Sequence, residues 1–114
     1  MTPLRRGAVV LVPFPFTDLS AVKRRPALVI SSDEYNAATG DVIIAQITSR
    51  VNSPRRPGDH QLKRWKDAGL LVPSLVRARM TTLHSSIVVK PLGAMAPEEM
   101  SEVGSSVGGV LGLS

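Results

Sequence analysis

Asp41-Val42-Ile43-Ile44-Ala45-Gln46-Ile47-Thr48-Ser49 is the stretch that decides the fold. On an extended chain Val42, Ile44 and Gln46 point one way and Ile43, Ala45 and Ile47 the other. Apolar residues on both sides predict a strand buried on both faces along much of its length. Gly40-Asp41 reads as the tight turn that opens it. Upstream, Ala8 to Val12 lies between Gly7 and Pro13 and is rich in β-branched residues, so it reads as a second buried strand. Pro13 and Pro15 lack backbone donors and should end it. Pro26 to Ser31 is a third strand, with proline tolerable at its first position, and Thr17 to Lys23 is a polar loop between the two. Ser32-Asp33-Glu34-Tyr35-Asn36 has the pattern of a capped single turn.

Downstream the apolar pattern stops from Arg50 to Asp59, and Pro54-Arg55-Arg56-Pro57-Gly58 reads as a mobile basic loop. Trp65 to Leu71 holds one helical turn that closes at Gly69. Ser74 to Leu83 and Ile87 to Lys90 supply two further short strands. The C-terminal stretch is the long-helix candidate. Pro97 suits a first turn, Glu98 and Glu99 complement its positive end, and Met100, Val103 and Val107 share a face. Gly104, Gly108 and Gly109 weaken that helix by about 1 kcal/mol each against Ala. Five short strands and a terminal helix predict a mostly β, compact barrel or half-open sheet.

The chain of 114 residues is expected to form one small domain spanning residues 1–114. At 43% hydrophobic and 20% charged residues it falls in the globular range, which argues against wholesale disorder. No cysteine is present, which excludes disulfides, thiol nucleophiles and cysteine metal sites, and two histidines, His60 and His84, cannot make a three-histidine zinc site. The longest apolar run, Ala8 to Phe16, is nine residues with two prolines, far below the roughly 20 residues of a membrane span. No stretch near the N-terminus has signal-peptide length, so the expectation is a soluble cytoplasmic protein.

Charge is unevenly spread. Residues 91–114 hold none of the 14 Lys and Arg and three of the 9 acids, so residues 1–90 carry 14 basic and six acidic groups, a balance of +8. With a pI near 10.5, such a body suits phosphate polyanions or an acidic protein partner.

Most enzyme constellations fail. No glycine-rich phosphate loop follows a strand and no nucleophile elbow is present. Asp33-Glu34 and Glu98-Glu99 are adjacent pairs whose side chains diverge, which suits neither glycoside hydrolysis nor a metal. His60 follows a Gly-Asp turn beside the basic loop; a lone loop histidine is ordinarily solvated, though an imidazole there is also a candidate for proton transfer. Two features rise above this background. Lys23-Arg24-Arg25-Pro26 runs into an apolar strand, and Pro26 forces Arg25 to be extended, a guanidinium at a rigid strand start. Ile47-Thr48-Ser49-Arg50 places hydroxyls and a cation at the end of a buried strand.

Together these stretches carry a specific likeness. Arg6-Gly7-Ala8-Val9-Val10-Leu11-Val12-Pro13-Phe14-Pro15-Phe16-Thr17-Asp18, Lys23 to Ser31 and Ala45-Gln46-Ile47-Thr48-Ser49 resemble the MazF/PemK (Kid) family of toxin endoribonucleases. The resemblance continues through Ala68-Gly69-Leu70, Pro73-Ser74-Leu75-Val76-Arg77, Leu92-Gly93, Pro97-Glu98-Glu99 and Leu111-Gly112-Leu113, covering nearly the whole chain in order. It implies an SH3-like β barrel of the CcdB/MazF type with a C-terminal helix. It also implies a homodimer, no cofactor, metal-independent cutting of single-stranded RNA at particular sequences, and a cognate antitoxin that covers the RNA groove. Unpartnered apolar residues in Leu70-Leu71-Val72 and the C-terminal helix fit the dimer.

Carried over by the resemblance, Arg25 matches the arginine used at the scissile phosphate and Thr48 the strand-end threonine that hydrogen-bonds the same group. Arg77 matches a further catalytic arginine of the PemK-like branch. Lys23, Arg24, Ser49, Arg50, Arg55, Arg56 and Arg79 are the expected RNA-binding residues, and Phe14, Phe16, Tyr35 and Trp65 the few aromatics available for base stacking. The chain departs from the family at Ala8, where an acidic residue usually follows the glycine, and at Arg79, where the PemK-like branch carries Asp. Two alternatives share the expected fold: a CcdB-like gyrase inhibitor, which needs a C-terminal Trp-Gly-Ile that this chain lacks, and a non-catalytic nucleic-acid-binding barrel.

Overall fold

The computed structural model describes residues 4–13 and 23–113. Phe14, Phe16 and most of the expected polar loop lie outside the described residues. The central strand forms as the alternation predicts: β3 covers Asp41–Thr48, with Val42, Ile44, Ala45 and Ile47 buried. Around it are β1 (Ala8–Pro13), β2 (Arg24–Val29), β4 (His60–Gln61), β5 (Leu75–His84) and β6 (Lys90–Ala94), with helices α1 (Asp33–Thr39) and α2 (Pro97–Val110). The sheet is a curled, antiparallel half-barrel in the order β4-β5-β3-β2-β1-β6.

Burial on both faces of β3 reflects two apolar clusters, one on each side of the sheet. Val9, Leu28, Ala45, Ile47 and Val76 pack with Met100, Val103 and Val107 of α2. Val10, Val12, Ala27, Val29, Val42 and Ile44 form the second cluster with Leu83. Each α2 anchor contributes on the order of 1.5–3 kcal/mol through burial, enough to outweigh the glycine penalties in that helix. Pro97 starts α2 and the acids of its first turn are Glu98 and Glu99, as the sequence predicts.

Four elements differ from the sequence expectation. Strand β2 starts at Arg24, two residues before Pro26, and Pro26 pairs with Leu11 of β1. The β2–β3 register begins only at Ala27, so the missing proline N–H costs no ladder bond on that side. The capped turn extends into the seven-residue α1, with Ser32 Oγ accepting from Tyr35 N at 3.1 Å and Gly40 closing it in the left-handed region. The last strand is Lys90–Ala94, since Ser85–Ile87 instead forms a 3-10 turn capped by His84. Sixth and shortest, β4 extends the sheet beyond β5. No helix among the described residues is long and apolar enough to cross a membrane.

Candidate active site

Strand register aligns the two residues that the sequence singles out. Ala27 pairs with Gln46, Leu28 with Ala45 and Val29 with Ile44; continued two residues toward the start of β2, this register sets Arg25 level with Thr48. Both line a cavity of about 520 Å³, whose other polar lining residues are Ser49, Ser74 and Lys90. Leu11, Pro26, Ile47 and Leu92 line it too. They continue the apolar face that α2 covers farther along the sheet.

One rim is the turn before β5. Gly69 (φ +84°) lets this turn reverse, and its backbone lies so close to β6 that a Cβ on Gly69 would stand 2.1 Å from the Leu92 carbonyl oxygen. That contact holds the following Leu71 and Val72 over the cavity, 92% and 48% exposed. The expected helical turn at Trp65–Leu71 is a hydrogen-bonded turn, closed by Leu70 N donating to Trp65 O at 3.1 Å.

Polar groups in this cavity are poised rather than spent. Among the described residues, no hydrogen bond or ion pair engages the half-buried Arg25 guanidinium or the Lys90 amine. Thr48 Oγ1 accepts from Arg50 N at 3.3 Å, which occupies an acceptor site and leaves the O–H to donate elsewhere. Among the described residues, no carboxylate or histidine lines the cavity, and this donor set suits an anion rather than a hard divalent cation.

Other predicted residues fall into different settings. Lys23 and Arg24 are exposed at the start of β2, and Ser49 and Arg50 follow Thr48 directly, also exposed. Arg55 lies back on its own segment, its guanidinium donating to Val51 O at 3.0 Å and to Gln61 Oε1. The basic segment is tied down rather than mobile: Arg56 N donates to Asp59 Oδ2 at 2.9 Å and Asp59 N to Arg56 O at 3.0 Å. Its Gly58 packs so closely that a Cβ there would stand 2.6 Å from Val110 of α2.

Arg77 does not line the Arg25–Thr48 cavity. It borders a small hollow of about 70 Å³ with Arg56, Asp59 and Arg79. Its Nε faces Asp59 Oδ1 at 3.4 Å, with the two side chains 11% and 1% exposed. Removing one partner of such a buried pair costs about 3–5 kcal/mol, because the other charge is left without compensation.

His60 is also outside the cavity. Its Nε2 pairs with Glu99 Oε2 at 2.8 Å, and Glu99 accepts from Lys63 N at 2.6 Å and Arg64 N at 3.4 Å. Burial alone pushes the Glu99 pKa up; the Lys63 N–H, the His60 ring and the Arg64 N–H outweigh it and hold the carboxyl below its ordinary value of 4.5. This network clamps α2 to the sheet edge and commits His60 to a structural contact. Tyr35 and Trp65 are likewise absent from the cavity lining.

Sequence reasoning missed Lys90 and Ser74. A single lysine before a proline carries no signal by itself, and only the Leu11–Lys90 pairing brings it to the rim. Ser74 is buried and its hydroxyl donates to Val72 O at 2.9 Å, which fixes the rim turn. Another cavity, about 420 Å³, lies between α1 and the Ser85–Pro91 stretch. Its lining is largely apolar, and the Asn36 amide is already bound to the Leu4 and Ser31 carbonyls.

Comparison with known proteins bears on the family and the fold. Residues 5–111 match the family model described as PemK-like, MazF-like toxin of type II toxin-antitoxin system. The chain is 28% identical over 116 aligned residues to Endoribonuclease MazF of Staphylococcus saprophyticus, covering 96% of this chain and 92% of that protein. Among solved structures, MazF from Deinococcus radiodurans superposes with a TM-score of 0.73 at 29% identity, over 96% of this chain and 97% of that one. A MazE–MazF structure from the same organism gives a TM-score of 0.76 at 26% identity, with both chains fully covered.

Proposed function

This chain belongs to the PemK-like, MazF-like toxins of type II toxin–antitoxin systems, and from that premise we propose how it works as an endoribonuclease: it cuts single-stranded RNA in the Arg25–Thr48 cavity without a metal ion. The observation that carries this reading is a guanidinium level with a hydroxyl donor, neither committed among the described residues, in a cavity that no described carboxylate lines. A catalytic guanidinium needs its donors free when the substrate arrives.

RNA carries its own nucleophile. The 2′-oxygen attacks phosphorus, the bond from phosphorus to the 5′-oxygen breaks, and the products are a 2′,3′-cyclic phosphate and a 5′-hydroxyl. The 2′-OH gives up its proton and the departing 5′-oxygen gains one. Charge accumulates on the non-bridging oxygens. A planar, permanently charged Arg25 grips two of those oxygens together, and Thr48 adds a neutral donor of fixed direction. Lys23, Arg24, Ser49, Arg50 and Lys90 hold flanking phosphates, and Arg55, Arg56 and Arg79 extend the basic path. Leu71 and Val72 meet the base or sugar of the bound strand. Cutting is sequence-specific in this reading, with base choice set by the rims of the groove.

Two partners follow. The MazE–MazF structure of the Deinococcus radiodurans relative is a complex; by extension this chain has a cognate antitoxin, with an acidic, disordered segment that competes with RNA for the basic body. Exposed Val110, Leu111 and Leu113 at the end of α2 support a homodimer. The cytoplasm, where messenger RNA is met, is the proposed location. Cleavage of a long single-stranded RNA by the purified chain in EDTA tests the core of the reading. Inhibition of gyrase without RNA cutting would replace it.

A further inference from the structure

We propose that Arg77 is a positioning residue for Thr48, acting through a relay of hydrogen bonds rather than touching the substrate. The inference rests on the RNA-cleavage reading of the Thr48 cavity.

The relay runs through two hydrogen bonds and the Arg50 backbone. Arg77 Nη2 donates to Ser53 Oγ at 2.7 Å. Ser53 Oγ donates to Arg50 O at 2.7 Å, and Ser53 N donates to the same carbonyl at 3.2 Å. Arg50 N in turn donates to Thr48 Oγ1 at 3.3 Å. The first two bonds share the Ser53 hydroxyl and so strengthen one another; the Arg50 N–H lies in the preceding peptide unit and is joined to them through the position of the Arg50 backbone. Arg77, through Ser53, thus fixes the Arg50 carbonyl, and the Arg50 backbone so held presents its N–H to one lone pair of Thr48. The Thr48 O–H is left aimed at the phosphate.

Local geometry explains why Arg77 can reach so far. The β3–β5 register jumps from Ala45 opposite Met80 to Ile47 opposite Val76, so Arg77, Ala78 and Arg79 stand against the single Gln46. Such a bulge re-aims side chains. Arg77 turns into the segment between Thr48 and β4, where it also donates to Pro54 O at 3.3 Å and faces the buried Asp59. With Nη2 bound to Ser53 and Pro54 and Nε turned to Asp59, the guanidinium is held against the segment that carries Ser49 and Arg50.

A double-mutant cycle on cleavage of single-stranded RNA decides between relay and contact. Arg77→Met should lower kcat/KM about tenfold in the native background and less than about twofold in Thr48→Val, where there is no hydroxyl left to position. Ser53→Ala should show the same coupling with a smaller effect, and Ser53→Thr should restore activity. An equal factor for Arg77→Met in both backgrounds would overturn the proposal and place Arg77 on the substrate. If Arg77→Met fails to fold because Asp59 is stranded, Ser53→Ala decides alone: it leaves the ion pair intact, and additivity with Thr48→Val, or no effect in either background, overturns the relay. If the native chain does not cut RNA, the functional reading fails separately. Hydrogen exchange at the Arg50 amide then reads the relay: faster in Ser53→Ala supports it, unchanged refutes it.

Discussion

Arg25 and Arg77 lie in two regions of the same sheet and have opposite circumstances. Arg25 sits near the start of β2, paired with Val12 of β1, half-buried, its guanidinium without a partner among the described residues. Arg77 sits in the β5 bulge, nearly buried, donating to Ser53 and Pro54 and facing Asp59. The difference teaches that two arginines of one sheet can be in opposite states of readiness to meet a phosphate. A guanidinium held by Ser53 and Pro54 and set against a buried carboxylate has less to offer a transition state than one without such partners, which can bind charge as it develops.

The contrast breaks most visibly at Arg25 itself. Arg25→Ala should reduce RNA cleavage by roughly 10²-fold or more, the cost of deleting one transition-state donor, while leaving the thermal midpoint nearly unchanged. Thr48→Val should cost somewhat less. A large drop in midpoint for Arg25→Ala would mean that the free guanidinium was holding the fold after all.

Arg77→Met should show the reverse balance. Stranding Asp59 costs about 3–5 kcal/mol, which lowers the thermal midpoint by more than about 10 °C in a domain of this size. Calorimetry on the purified variant checks it. Replacing both members, Arg77→Met with Asp59→Leu, should recover part of that loss, since no buried charge remains.

A smaller effect belongs to Glu99, whose role resembles that of Asp59. Because its folded pKa is held below 4.5, the stability it contributes is fully present above that value and is lost as pH falls through the folded pKa. Glu99→Gln should cost about 1–3 kcal/mol at neutral pH and flatten the acid limb of the stability curve. Urea melts between pH 3 and pH 7, a range of roughly four units around the ordinary carboxylate pKa, would show whether the limb persists. Smallest of all, Lys90→Ala should weaken RNA binding slightly and reduce the slope of log affinity against log salt by about 0.7 for the one phosphate contact removed.

Much of the fold was legible because it follows alternation. The residues of β3 announce both faces of the sheet, and the Pro97 start with Met100, Val103 and Val107 announces α2. What escaped was set by contacts between distant segments. Pro91 and Gly93 speak against a strand, yet β6 is an edge that tolerates proline, and a Cβ on Gly93 would stand 2.4 Å from the Ala68 carbonyl oxygen. Tertiary closeness demanded glycine there. Two-residue β4 has no pattern to read.

The site divides in the same way. Arg25 and Thr48 were each noticeable as strand-end polar groups, but their adjacency depends on the β2–β3 register, which resemblance alone suggested. Arg77 and His60 stand out in the sequence because arginine and histidine can perform chemistry. The groups that commit them, Asp59, Ser53 and Glu99, lie at sequence separations that carry no local signal. Basic charge between Pro54 and Gly58 suggested mobility; a hydrogen-bonded turn and the packing of Gly58 against α2 remove it.

End-group analysis of RNA cut in the presence of EDTA tests the central claim most directly, with native protein and Arg25→Ala compared on the same long single-stranded substrate. The account predicts cleavage by the native chain in EDTA, with 2′,3′-cyclic phosphate and 5′-hydroxyl ends, and at least a roughly 10²-fold slower reaction for Arg25→Ala. Cleavage abolished by EDTA, products ending in 5′-phosphate, or full activity in Arg25→Ala would contradict it.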